Sequence, residues 1–177
     1  LYVARFNENG SGDWLALVHG QNGLTAANGF ADQGEVLVKT RMAADLVGAT
    51  KMDRPEWITA DPFTAGSIYC TLTNNSQRGQ EGKPAADAAN PRANNLFGHI
   101  IHWQEADGDG TKLSFKWDIL VLAGNKQAAK PEHKGNINGD DFGSPDGLAF
   151  DNRGVLWIQT DVSTSTLNMK EYAGMGN

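Results

Sequence analysis

Two similar segments, each opened by a proline and an acid, lie 90 residues apart in this chain of 177 residues. One begins at Pro55 and the other at Pro145. In each segment an aspartate follows the proline by six residues, and an aromatic residue follows a glycine by three. Each segment predicts a strand, a tight turn and a second strand. A supersecondary unit that recurs along the chain indicates a repeat architecture.

A hairpin pattern precedes each of these segments. The first hairpin has its turn at residues 9–12, and the second has its turn at residues 107–110. The alternation of hairpins and proline-led pairs predicts an all-β fold built from four-stranded blades. The predicted strands span residues 1–6, 14–18, 56–60, 67–73, 98–104, 113–122, 146–150 and 155–160.

One inserted helix is predicted within residues 20–53, near residues 33–46. Asp32 and Glu35 have the spacing of a capping box, and apolar residues from Val36 to Val47 keep helical spacing. Two further long insertions are residues 75–95, which are rich in asparagine, glycine, proline and alanine, and residues 123–143. Loops of this kind on a rigid β scaffold often build the functional site.

Composition argues against two classes of partner. The formal net charge is −6 and no basic run is present, which disfavours nucleic acid because phosphate binding requires a basic surface. No apolar stretch approaches the roughly 20 residues needed to span a bilayer. The single cysteine, Cys70, lies in an apolar run and is predicted to be a buried strand thiol without a metal or catalytic role.

Two carboxylates are the main candidates for chemistry. If a rotation relates the repeats, Glu56 and Asp146 occupy equivalent positions around its axis. Carboxylates that converge on an axis favour a cation, and a bound cation favours an anionic substrate. The alternative is that each acid caps the turn before its strand, because Pro-Asp-Gly is an ordinary turn sequence. Spacing alone leaves both possibilities open.

Arg54 immediately precedes the first proline and acid. Its guanidinium could bind a phosphate or carboxylate group through two hydrogen bonds, or it could form an ion pair with Glu56 or a loop acid. Two other patterns favour plain structure. Residues 107–110 lack the later glutamate of a calcium loop, and His99 and His102 fall on opposite faces of a strand, which disfavours a zinc site.

Six motifs, in order along the chain, resemble the PhoX family of alkaline phosphatases. They are residues 50–57 (TKMDRPEW), 70–75 (CTLTNN), 88–92 (AANPR), 98–100 (GHI), 143–148 (GSPDGL) and 156–161 (LWIQTD). The resemblance covers roughly residues 1–165 and corresponds to the C-terminal part of such proteins. Residues 1–177 are therefore expected to form the C-terminal portion of a single phosphatase domain, about two blades of its propeller.

This resemblance implies a six-bladed β-propeller whose remaining blades come from the rest of the parent protein. It implies export by the twin-arginine route, and hence a periplasmic or secreted protein. The implied activity is hydrolysis of phosphate monoesters at a calcium–iron cluster on the propeller axis. The family's arginine and acids fall on Arg54, Glu56 and Asp146, so the resemblance implies that Arg54 binds the phosphoryl group and the two acids bind metal.

The family's remaining metal ligands, which include an acid-rich motif and an iron-bound cysteine, have no counterpart here. The isolated chain is therefore expected to be inactive. Two alternatives stand beside the phosphatase. A calcium-dependent propeller of the lactonase type would favour one metal ion and neutral sugar lactones, and a non-catalytic propeller that binds partners would need no converging carboxylates.

Overall fold

The computed structural model describes residues 1–176, which form a mostly antiparallel β structure. Each of the eight predicted strands is confirmed, with shifts of a few residues at some ends. The strands are β1 (Tyr2–Phe6), β2 (Ser11–Ala16), β3 (Pro55–Ala60), β4 (Ser67–Leu72), β5 (His99–Glu105), β6 (Ser114–Leu122), β7 (Pro145–Phe150) and β8 (Leu156–Thr160). The α-helices are α1 (Gln33–Val38), α2 (Thr40–Val47) and α3 (Thr164–Leu167).

Six strands form one continuous sheet in the order β1-β2-β6-β5-β4-β3, and β7 pairs with β8 in a second sheet. Strands β3 to β6 follow one another as a meander, and the first hairpin extends the sheet through contact of β2 with β6. The first hairpin therefore adds to the far side of the second hairpin and does not pair with β3 or β4. A hairpin has the same sequence pattern whichever strand it pairs with, so the pattern does not predict the neighbour of β2.

The turn of the first hairpin lies earlier than predicted. Asn7 N–H donates to the carbonyl of Ser11 at 2.8 Å, and Gly10 supplies the left-handed φ of 79° that the turn requires. Gly12 therefore belongs to β2. A Cβ atom at Gly12 would lie 2.0 Å from the ring of Phe115, so this glycine serves close packing and not the turn.

The predicted helix is present but divides at Lys39, where φ is −95° and ψ is 32°. Asp32 Oδ1 accepts a hydrogen bond from Glu35 N–H at 2.9 Å, which confirms the expected cap. The hydroxyl of Thr40 donates to the carbonyl of Leu37 at the break. Hydroxyl groups that bond to the backbone in this way compete with the helical pattern, which gives a physical reason for the division.

An aromatic cluster packs on the large sheet. The ring of Phe6 makes edge-to-face contacts with Trp103, Phe115 and Trp117, with ring centroids 5.0–6.2 Å apart. Buried Glu105 lies within this apolar region and accepts hydrogen bonds from two indole N–H groups, including that of Trp103 at 2.9 Å. Buried polar groups persist when they are hydrogen-bonded in this way. These side-chain contacts join β1, β2, β5 and β6 in addition to their backbone pairing.

The thiol of Cys70 and the lengths of the helices bear on two predictions from the sequence. Cys70 is a free, buried strand thiol, and burial raises its pKa to about 12, so the thiol is neutral and unreactive at ordinary pH. Within residues 1–176, none of the helices has the length and apolar character that crossing a bilayer demands.

Candidate functional site

The two proline-led segments share an uncommon backbone conformation. Arg54 and Ser144, which precede the two prolines, have φ angles of 51° and 52°. Their carbonyls accept equivalent hydrogen bonds, from Thr73 N–H at 3.2 Å and from Asp161 N–H at 3.0 Å. Left-handed φ is uncommon outside glycine, and a residue before proline strongly prefers extended backbone. Strained residues of this kind cluster at functional sites.

A β-bulge follows the proline in β3. The register shifts between Pro55 and Ile58, so that Glu56 and Trp57 together lie opposite the single residue Thr71. Bulges redirect side chains away from the regular alternation of a strand and are frequent next to active sites. The bulge therefore sets the direction of the Glu56 side chain independently of the rest of β3.

The same bulge occurs in β7. The register shifts between Pro145 and Leu148, so that Asp146 and Gly147 lie opposite Gln159. A Cβ atom on Gly147 would lie 2.4 Å from the side-chain oxygen of Gln159, so a larger residue there would require the Gln159 side chain to move. The repeat seen in the sequence is therefore also a repeat of backbone geometry, with Asp146 at the position that Glu56 occupies in β3.

A buried hydroxyl connects the two segments. Thr71, at the end of β4, is fully buried. Its Oγ1 accepts a hydrogen bond from Trp57 N–H at 3.0 Å and donates to the carbonyl of Asp146 at 2.6 Å. Glu56 is the direct neighbour of Trp57, so the structure brings the two predicted acids to the same edge of the fold.

Arg54 completes this edge. Its Nη2 lies 3.8 Å from Glu56 Oε1, and its Nη1 donates to Asn74 Oδ1 at 2.9 Å. The sequence alternative of an ion pair with Glu56 is therefore present. The Arg54 side chain remains 57% exposed, so the guanidinium is also accessible to an anion. The backbone at Arg54 is left-handed and not extended, and its guanidinium nevertheless lies beside the acid.

Sequence reasoning missed the residues that support this edge. Asn74 Nδ2 donates to Ser144 Oγ at 3.3 Å, and Ser144 Oγ lies 3.0 Å from the hydroxyl of Tyr172. Tyr172 is buried and also donates to the carbonyl of Leu96 at 3.1 Å. Asn74 and Ser144 lie in the TLTNN and GSPDGL motifs, but neither pattern reveals that they meet, and Tyr172 lies outside all six motifs.

A buried polar network lies directly behind Arg54. Asp53 is fully buried and forms an ion pair with Arg78, which is also fully buried. Its two carboxylate oxygens accept further hydrogen bonds from Asn75 and Asn95, each at 2.9 Å. Every oxygen of this carboxylate therefore has a partner. Nothing in the linear pattern distinguishes buried Asp53 from its exposed neighbour.

The other candidates behave as structural residues. Asp109 Oδ1 accepts from Thr111 N–H at 2.9 Å, an ordinary turn contact. His99 is buried, and its Nε2 hydrogen-bonds to the carbonyl of Ala89 at 2.8 Å. Within residues 1–176, no three histidine, cysteine, aspartate or glutamate side chains are grouped so that they could hold a metal ion.

Glu56 and Asp146 nevertheless have side chains of the type that binds metal ions. Carboxylate oxygens are the donors that Ca²⁺ prefers. Inside the described range 1–176, the Asp146 carboxylate has neither a hydrogen-bond nor an ion-pair partner. The edge combines two carboxylate groups with an exposed guanidinium, groups whose charges suit a cation and an anion.

Comparison with known proteins specifies the family. The family model for alkaline phosphatase PhoX matches residues 1–177, and the chain belongs to this family. The structure of Pseudomonas fluorescens PhoX in complex with vanadate, a transition state analogue, is similar, with a TM-score of 0.90 and 47% sequence identity. The similarity covers 99% of this chain and 32% of that chain, so this chain spans about a third of its length. A search of curated proteins found no match.

Proposed function

We propose that the protein containing this chain is a metal-dependent hydrolase of phosphate monoesters, and that this chain supplies part of its active site. The observation that carries the proposal is the pair of equivalent bulges, which places Glu56 and Asp146 at one edge with Arg54 3.8 Å from Glu56. Membership of the PhoX family supports it, as does the vanadate complex of the similar Pseudomonas protein.

Glu56 and Asp146 would hold metal ions, with calcium and iron as the family's cofactors. When bound, metal ions supply Lewis acidity to the phosphoryl group. The backbone at the two acids is held by the bulges and by hydrogen bonds to the hydroxyl of Thr71. This anchoring would fix the backbone that carries the two carboxylates and limit the conformational entropy that binding would remove.

Arg54 would bind the phosphoryl oxygens of the substrate. Its guanidinium offers a planar pair of N–H donors that matches a phosphate, and it remains charged at alkaline pH. The hydrogen bond from Nη1 to Asn74 Oδ1 holds the guanidinium in orientation. Phosphoryl transfer depends chiefly on positioning and on stabilisation of charge, so two acids and an arginine are suitable contributions from this chain.

The architecture proposed for the complete protein is a six-bladed β-propeller, with residues 1–177 as the C-terminal portion, about two blades. Strands β3 and β7 would then be the innermost strands of neighbouring blades. Large apolar side chains on these hairpins are exposed in this chain alone, among them Trp57 at 53% and Trp157 at 57%. The remaining blades would cover them, and the isolated chain would be inactive. A periplasmic or secreted location is proposed from the family.

The test uses Glu56→Ala and Asp146→Ala in the intact protein. Metal content by elemental analysis and hydrolysis of an aryl phosphate, with and without added calcium, should fall together in both variants. Glu8→Ala is the control because Glu8 is an exposed acid in the turn of the first hairpin, and it should match the wild type. Unchanged metal stoichiometry in both site variants would contradict the proposed ligand roles.

A further inference from the structure

Thr71 lies at the point where the two proline-led segments meet. The bulge in β3 places two residues opposite Thr71, so the backbone ladder is interrupted there. Trp57 N–H donates to the Thr71 hydroxyl at 3.0 Å. A partly buried N–H left without an acceptor is destabilising, so this side-chain oxygen supplies the partner that the interrupted ladder does not.

The single proton of the Thr71 hydroxyl has two acceptors within reach. The carbonyl of Trp57 is 3.4 Å away, and the carbonyl of Asp146 is 2.6 Å away. Hydrogen bonds between hydroxyl and carbonyl oxygens are commonly 2.7–2.8 Å long, so the shorter contact takes the proton. The hydroxyl thus accepts from the segment of Glu56 and donates to the backbone of Asp146 at the same time.

Few polar contacts perform this connection. Strand β7 pairs with β8, and no backbone ladder joins β7 to β3 or β4 in the described part of the chain. The side-chain contact between Asn74 and Ser144 is longer, at 3.3 Å, and does not involve the residues of either bulge. The Thr71 hydroxyl therefore fixes the two bulges relative to each other. It acts at Trp57, the neighbour of Glu56, and at Asp146 itself.

We infer that Thr71 is a positioning residue whose hydroxyl sets the placement of Glu56 relative to Asp146. This inference rests on the proposed function, in which both acids bind metal. Groups that orient metal ligands without touching the metal typically change metal affinity or activity by about 10- to 100-fold when they are removed. Valine has nearly the shape of threonine but can neither accept from Trp57 nor donate to Asp146.

The experiment compares Thr71→Val with Thr73→Val in the intact protein. Thr73 is a matched control: it lies two residues further along and is 1% exposed, and its hydroxyl has no hydrogen-bond partner within residues 1–176. Thr71→Val should require about 10- to 100-fold more free calcium to retain metal during dialysis against a chelator. Thr73→Val should retain metal as the wild type does.

A second pair of variants separates the hydroxyl from effects on folding. Thr71→Ser and Thr71→Ala both lack the methyl group, and they differ from each other only in the hydroxyl. The serine variant should retain metal, and the alanine variant should lose it as Thr71→Val does. Hydrogen exchange of the Trp57 amide should also accelerate in the alanine variant, because that amide loses its acceptor.

Three results would overturn the inference. If Thr71→Val and Thr73→Val retain metal equally, Thr71 positions nothing, while a metal-dependent wild-type hydrolase leaves the proposed function standing. If Thr71→Val does not fold, equal metal retention by the serine and alanine variants rejects the inference. If the wild-type protein neither binds metal nor hydrolyses an aryl phosphate, the proposed function fails and the inference falls with it.

Discussion

Asp53 and Arg54 are adjacent in the chain and lie in opposite environments. The Asp53 side chain is fully buried and paired with Arg78, whereas the Arg54 side chain is 57% exposed. The left-handed backbone at Arg54 turns the chain between these environments. One short motif therefore contributes a buried acid to the scaffold and an accessible guanidinium to the edge.

Charged groups have different roles in the buried network and at the exposed edge. In the buried network every carboxylate oxygen of Asp53 is occupied by protein donors, so the network can bind nothing else. At the edge, Arg54 has one firm partner, Asn74, and a looser contact of 3.8 Å with Glu56. The first arrangement stabilises the fold, and the second leaves charged groups available to a ligand.

The largest expected effect is that of removing the buried acid. Asp53→Ala leaves the buried guanidinium of Arg78 without its counterion, and breaking a buried pair in this way costs about 3–5 kcal/mol of unfolding free energy. Arg54→Ala breaks only an exposed contact and should change stability by less than about 1 kcal/mol. Urea denaturation of both variants measures the difference. Equal losses would erase the distinction between the two regions.

The next effect concerns catalysis and not stability. Arg54→Lys keeps the positive charge but loses the planar pair of donors, so about 1.5–3 kcal/mol of transition-state stabilisation should disappear. This loss corresponds to a rate reduction of about ten- to more than a hundredfold. Inorganic phosphate should also inhibit less strongly, while metal content stays unchanged. A variant that hydrolyses substrate and binds phosphate like the wild type would leave Arg54 as an ion-pair partner only.

A smaller effect should appear in the pH dependence of stability. Burial, assisted by the charge of Arg92, lowers the pKa of His99 to about 4 from an ordinary value of 6.5. Between these two values the unfolded chain binds a proton that the folded chain does not, so stability falls as the pH falls. From pH 6.5 to pH 5 the loss should be about 1–2 kcal/mol.

His99→Gln provides the comparison, because glutamine does not titrate. Its unfolding free energy should be lower than that of the wild type at pH 7, since the hydrogen bond to Ala89 is disturbed. It should then change less between pH 6.5 and pH 5. If the unfolding free energies of the two proteins changed with pH in parallel, the pKa of His99 would not be lowered in the folded protein.

Local chemistry determined much of this protein. Prolines, glycines and β-rich runs predicted all eight strands, because turn residues and alternating patterns act within a few residues. The repeat of proline and acid identified Glu56 and Asp146 as candidates for equivalent positions, and each lies in a bulge of the same form. Their roles as metal ligands remain a prediction. The family resemblance is likewise confirmed, over residues 1–177.

How the strands and the candidate residues meet depends on the tertiary structure alone. The pairing of β2 with β6 joins residues about 100 positions apart, and a hairpin pattern carries no record of its neighbour. Burial separates Asp53 from Arg54, although adjacent residues share every local signal. The Thr71 hydroxyl reaches Asp146 across 75 residues of sequence. Contacts at such distances depend on the packing of whole sheets, which short-range propensities do not encode.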